Sequence, residues 1–212
     1  MIENNQLELT SLENIQTAHE RADAAANRRL ILQTAEHLYA ERGVAAVTMA
    51  DIAAAAGVGK GTLYRRFDNK AELTLALLDG RTREFQNGVL KQLNQFEEGR
   101  ASYLDRLDYY LDALVHFTND HLPYLCVVQS EGLIDDREQS HPYHWQHHTV
   151  NALLSRGIAA GELLPSIDVP YTADALLAPL RADIFRYQRA VRGFTPDRIS
   201  HALRTLFHAL ST

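Results

Sequence analysis

Between Lys60 and Lys70 the chain places four cations, Lys60, Arg65, Arg66 and Lys70, against one acid, Asp68. Gly59, Gly61, Thr62 and Tyr64 are interleaved with them. A guanidinium at such a place can pair with guanine edges, and ammonium groups can meet phosphate oxygens. Glycines would let a backbone approach a duplex closely. The 212-residue chain as a whole is acidic, with a net charge of −6. Residues 28–80 hold seven Lys/Arg against six Asp/Glu, whereas 1–27 hold one against five and 81–212 thirteen against sixteen. A chain with this balance does not coat nucleic acid indiscriminately, but its one basic region can still grip a duplex locally. The alternative is a solvated helical face, the commoner fate of a charge run.

A second group of reactive side chains stands at HPYHWQHH, residues 141–148. His141, His144 and His148 are spaced i, i+3, i+7 on one helix face, with His147 offset. His144 and His148, four apart, have the separation that two ligands of one zinc or nickel ion need. No glutamate stands between them as in a metalloprotease helix, and no cysteine or convergent acid accompanies them. Solvated or pocket-lining histidines are therefore the competing reading. The metal reading supports a second function class, a helical metal-dependent enzyme or a metal sensor. No other cofactor is implied. Cys126 is the lone cysteine, so no intramolecular disulfide forms, in keeping with a reducing cytoplasm. No run of eighteen apolar residues suggests a membrane span, and the polar start MIENNQLELTSLENIQ lacks the basic and apolar regions of a secretion signal. A cytoplasmic protein is expected.

The elements that would hold these groups are helices. Strand signals are nearly absent, and the pattern predicts an all-α fold. Ile31, Ala35, Leu38 and Tyr39 recur at helical spacing until Gly43. Thr48, with Asp51 three residues on, caps a short alanine-rich helix ending near Ala56. Gly57 supplies the left-handed turn, a second short helix runs from Lys60 to Arg66, and Asn69 caps the next. Tyr103, Leu107, Tyr110, Leu114 and Phe117 form the stripe of a long helix. Pro123 predicts the first turn of another, closing near Gly132 to Asp136. Further helices are expected from Ser140 to Ala160, from Tyr171 to Val191 with a kink at Pro179, and from Pro196 to Leu210. Residues 164–170 read as a loop. The expected organisation is a polar leader at 1–27, a DNA-binding domain at 28–73, and a larger helical domain at 74–212.

Two short helices joined around AAAAGVGKG and preceded by a packing helix make a helix-turn-helix. Ile52, Ala53, Val58 and Leu63 would bury the inner face, leaving Lys60, Thr62, Tyr64 and Arg65 outward. In this stretch the chain resembles the TetR family of bacterial transcriptional regulators. The likeness runs through Ile31, Ala35, Leu38, Gly43, Val47-Thr48, Ile52-Ala53, Ala56-Gly57-Val58, Gly61-Thr62-Leu63-Tyr64, Phe67, Lys70 and Leu73. One departure is Gly59, where the family usually has Ser or Thr as cap of the recognition helix. That change costs a few tenths of a kcal/mol by general cap energetics. The resemblance implies a double-stranded DNA operator as partner. It makes Thr48 a phosphate contact as well as a cap, sends Lys60, Gly61 and Thr62 into the major groove, and has Tyr64 grip the backbone. A core role is the other reading of Tyr64. Arg65 is the expected base reader, Lys70 a phosphate contact, and Arg66 a local partner of Asp68.

The same resemblance implies a homodimer and an effector pocket in the helical domain, with no membrane partner. Dimerisation also follows from size, because one short recognition helix reads too few bases for useful specificity. The expected interface stripes are Leu176, Leu177, Leu180, Ile184 and Tyr187 with Ile199, Leu203, Leu206, Phe207 and Leu210; Leu180, Ile184, Leu203 and Phe207 are their centre. Plain core is the other reading of such stripes. Tyr110, Phe117, Tyr124, Trp145 and His148 are candidate pocket walls, with Arg181, His116 and Gln129 as polar groups that could orient a small-molecule effector. The functional expectation is a ligand-responsive repressor binding a palindromic operator as a homodimer.

Overall fold

The computed structural model describes residues 3–98, 101–130 and 141–211, with side chains at 23–96, 101–130 and 143–211. Among the described residues the regular structure is helical: α1 (Glu3–Arg42), α2 (Met49–Ala55), α3 (Lys60–Tyr64), α4 (Lys70–Glu98), α5 (Tyr103–Ser130), α6 (His141–Ala159), α7 (Val169–Leu177), α8 (Ala182–Ala190) and α9 (Pro196–His208). Short 3-10 turns lie at Val44–Ala46 and Ala178–Leu180. No described helix is long and apolar enough to cross a membrane. The chain divides into two compact units, Met1–Leu73 and Thr74–Thr212.

In the first unit the apolar positions of α1 do what their spacing predicts. Ile31, Ala35, Leu38 and Tyr39 are buried, as are Val44, Val47, Ile52, Leu63, Phe67 and Leu73, which together make up most of this unit's small core. Gly43, at φ 80°, ends α1 in the left-handed region that side chains rarely adopt. The expected polar leader is helical: α1 begins at Glu3 and runs without a break into the packing helix. Its run of strong helix formers, including Ala24, Ala25 and Ala26, accounts for the continuity.

The second unit is built on α5, which packs against α6, α8 and α9. Leu107, Tyr110, Leu111, Leu114 and Val115 of α5 are fully or almost fully buried, together with Leu154, Phe185 and Phe207 from three other helices. Two proline expectations fail here. Pro123 does not start a helix; it lies inside α5. Burial of Thr118 before it and Val128 after it carries the helix through a residue that removes one backbone hydrogen bond. Pro179 does more than kink a helix. α7 stops at Leu177, the 3-10 turn follows, and Arg181, with ψ 139°, leaves helical geometry before α8 restarts. The helix closure expected at 132–136 and the start at Ser140 lie outside the described residues.

Of the expected interface centre, only Ile184 is exposed after the break at 178–181. Leu180, Leu203 and Phe207 are 8%, 3% and 0% exposed in the single chain, buried against their own unit's helices. The exposed apolar residues of this region are Ile184, Tyr187 and Val191 on and just after α8, with Leu206 on α9. Phe207→Ala should therefore lower stability by about 3–5 kcal/mol, as for a large core truncation. The loss should be the same in dilute and concentrated protein, measured by denaturant melts; a loss that shrinks with concentration would return Phe207 to an interface.

Candidate functional site

The basic stretch is set on a frame that begins at Thr48. Its side chain accepts a hydrogen bond from the Asp51 N–H at 3.2 Å, and the Thr48 N–H donates back to the Asp51 carboxylate at 2.8 Å. The Thr48 hydroxyl donates to the same carboxylate at 2.6 Å. This capping box fixes the start of α2. The bonds from the Thr48 side chain and backbone hold the Asp51 carboxyl below its ordinary value. At the other end of α2, Gly57 turns the chain at φ 65°, and the Val58 N–H reaches back to the Ala53 carbonyl at 3.1 Å.

Gly59 then caps α3 through its backbone alone: its carbonyl accepts from Thr62 at 2.9 Å and Leu63 at 3.1 Å, with no side-chain bond. Within α3 only Leu63 is buried, fully, in the small core. The residues around it point the other way. Lys60, Gly61 and Arg65 are exposed, and Thr62 is half-buried. Tyr64 is 50% exposed, which removes it from the core and leaves its ring on the surface shared with Arg65. Arg65 donates from Nη2 to the Thr62 hydroxyl at 3.2 Å, a bond that holds the guanidinium along the outer face. A Cβ placed on Gly61 meets nothing within 4 Å, so its surface is open.

Lys70 differs from its expected role in part. Its ammonium donates to the Ala45 carbonyl at 3.4 Å and lies 5.9 Å from the centre of the Tyr39 ring. It braces the start of α4 against the first unit's core. Arg66 forms no ion pair with Asp68 among the described residues. The turn instead directs the Asp68 N–H to the Glu72 carboxylate, while the Asn69 side chain accepts from the Glu72 N–H at 2.8 Å.

In the second unit the structure gathers Tyr110, Phe117 and Trp145, and adds Phe85, which the sequence reading missed because it falls on α4, outside the stripe that drew attention. Phe85 stacks on Phe117 with centroids 4.5 Å apart and meets the Trp145 edge at 6.2 Å; Tyr110 meets Trp145 at 5.9 Å. Tyr110 is fully buried, and burial pushes its phenol far above the ordinary range. Two hollows flank this cluster. One, of about 300 Å³, lies between α4 and α5 and is walled by Phe85, Gly88, Tyr109, Phe117, Asp120 and His121. The other, of about 630 Å³, lies along α6 beside His144, Trp145, His147, His148 and Asn151.

Other expected pocket residues have partners of their own. Tyr124 lies under the Arg81 guanidinium at 5.0 Å, and Arg181 is exposed and paired with Asp183 at 3.6 Å. His116 faces Asp197 at 3.5 Å and Asp112 at 3.8 Å, and Gln129 accepts from the Asp183 N–H at 3.2 Å. His144 and His148 are exposed. Among the described residues no three His, Cys, Asp or Glu side chains gather around a point where a metal would sit. It is His147 that has partners: Asp174 at 3.2 Å and the Asn151 amide at 2.9 Å, with the Tyr143 hydroxyl donating to the same Asp174 at 2.8 Å. Burial, then the Asp174 bond, pushes the Tyr143 phenol up to about 12.

A capped helix, a glycine turn and a short helix that buries one leucine while exposing arginine, lysine and tyrosine define a helix-turn-helix regulator of transcription. The family model described as "Bacterial regulatory proteins, tetR family" matches residues 31–77. The chain is 29% identical over 165 residues to the "Probable HTH-type transcriptional regulator ArpR" of Pseudomonas putida, covering 74% of this chain and 78% of that one. It is 28% identical over 165 residues to the "HTH-type transcriptional regulator TtgR" of the same species, with the same coverage. The solved structure of the fatty acid degradation regulator FadR from Bacillus halodurans superposes with a TM-score of 0.61 at 18% identity, over 86% of this chain and 94% of that one, a likeness of fold. Residues 31–77 carry the DNA-binding domain of the TetR family: the chain is a DNA-binding transcriptional regulator, and the metal-dependent enzyme reading is not supported.

The capping box carries a testable cost. Thr48→Ala should destabilise the first unit by about 0.5–2 kcal/mol. Because the folded Asp51 carboxyl titrates below its unfolded value, its contribution is full above the unfolded value near pH 4 and is lost as pH falls through the folded one. Asp51→Asn should flatten that acid dependence in pH-resolved melts; an unchanged acid limb would show that the box does not support α2.

Proposed function

We propose that the chain is an effector-responsive repressor that binds a near-palindromic operator as a homodimer. The observation that carries the reading is the orientation of α3: Leu63 is fully buried while Lys60, Tyr64 and Arg65 stand exposed around it. Arg65, aligned by Thr62, is the base reader; Lys60 and Lys70 meet phosphates; Thr48 and Tyr64 hold the backbone. Regulators of this family bind DNA operators as dimers and respond to small-molecule effectors. The protein acts at the chromosome and hence in the cytoplasm.

The dimer face we assign is Ile184, Tyr187 and Val191, with Leu206. These large apolar side chains are 38–66% exposed, and the first three recur at i, i+3 and i+7 on one side of α8. An effector in the second unit acts by differential affinity. It must bind more tightly to a conformer whose paired recognition helices no longer match successive grooves, and a hundredfold shift takes about 2.7 kcal/mol of difference.

Selection of bound fragments from genomic DNA should return one near-palindromic site. Arg65→Ala should weaken binding to that site by about 1–3 kcal/mol and relax one base position in each half. Unchanged selectivity would remove Arg65 from base reading. Tyr187→Glu and Val191→Glu should yield a folded monomer with poor operator affinity, read by light scattering and circular dichroism. Variants that remain dimeric would move the interface elsewhere.

A further inference from the structure

The smaller hollow carries a chemical signature of its own. Phe85, Tyr109 and Phe117 give it aromatic walls, and among the described residues its only formally charged lining residue is Asp120, with no Lys or Arg. Asp120 is exposed, with Oδ1 accepting from the Asn119 amide at 3.2 Å. His121 stands beside it, its Nδ1 2.9 Å from the Phe117 carbonyl, which can only accept, so Nδ1 donates there. Phe85 and Phe117 stack on each other and the His121 ring lies against Phe117, so the rings supply apolar walls. The one formal charge on this wall, the Asp120 carboxylate, therefore favours a positive charge and disfavours an anion.

Gly88 supplies an independent observation. It stands inside α4, where glycine is less favourable than alanine, and a Cβ placed on it meets nothing within 4 Å. No neighbour demands a glycine there. What its missing side chain leaves is part of the hollow's volume. At about 300 Å³ the hollow lies at the small end of ligand sites, room for one compact molecule rather than a long acyl chain.

We infer that this hollow is a binding site for a compact organic monocation, an ammonium group on an aromatic or aliphatic body. The ammonium faces the Asp120 carboxylate, and the body packs against the walls that Phe85, Tyr109 and Phe117 form. The inference deepens the effector-responsive reading and rests on it for any consequence at DNA; binding itself is measured without DNA.

The test uses three probes of one shape on the full chain: 4-phenylbutylammonium, 4-phenylbutanol and 4-phenylbutyrate, by calorimetry at neutral pH. The ammonium should bind at least tenfold more tightly than the alcohol, and the carboxylate weakest. Asp120→Asn should remove that tenfold preference while leaving the alcohol unchanged. Gly88→Leu, which fills the hollow and favours the helix, should abolish binding of all three at an undiminished melting temperature. Equal binding of ammonium and alcohol, tighter binding of the carboxylate, or an Asp120→Asn variant that keeps the preference would overturn the inference. Trp145, the chain's one tryptophan, meets the Phe85 edge and reports occupancy by fluorescence. Ammonium binding without operator release would uphold the site and count against the effector reading; operator binding in a protein that takes no ammonium would do the reverse.

Discussion

Everything proposed for the DNA-binding unit depends on how one leucine is buried. A five-residue helix has no independent stability in water, because nucleation costs more than one turn returns. α3 persists because Leu63 is sunk in the core with Ile52, Ala53 and Phe67, all between 0% and 3% exposed. That anchor fixes the helix's rotation. With Leu63 inward, the side chains around it must face solvent, and these are the cationic and aromatic ones. Gly57 and the Thr48–Asp51 box then set where α3 begins relative to α2. The glycine cap at position 59 contributes no side-chain bond, so the burial of Leu63 is the principal restraint on the recognition helix.

The acidic composition of the chain is consistent with this arrangement. A regulator must find one site among many, and a uniformly basic surface would hold it on any duplex. Concentrating cations with few matching acids on one short stretch makes affinity depend on register. Lys70 shows that even within the stretch charge serves two ends, since its ammonium braces Ala45 and Tyr39 while standing at the start of α4.

The DNA-binding unit was legible in the sequence because its signals are local: caps three residues apart, a glycine at the turn, apolar positions at helical spacing. The second unit was less so, for a physical reason. A stripe of apolar residues says that something covers it but not which body does so. Leu206 and Phe207 were grouped in one stripe, although neighbours on a helix point about 100° apart; Phe207 is core and Leu206 is surface. Likewise Leu180 and Ile184 share a face only on an unbroken helix. The 3-10 turn and the extended Arg181 between them reset the phase. Pro179 announced a disturbance without revealing its size, and Pro123 announced one that packing overrode. Phe85 was missed because its partners, Phe117 and Trp145, lie 32 and 60 positions away in sequence.

Amide hydrogen exchange along residues 57–66, with and without operator DNA, tests the central claim most directly. α3 is short and held by one buried side chain, so its amides should exchange readily in the free protein. The selected operator should slow them strongly, and a scrambled duplex of equal length should do so far less. Protection that appears on another helix, or that is equal for both duplexes, would contradict the account that α3 reads DNA sequence.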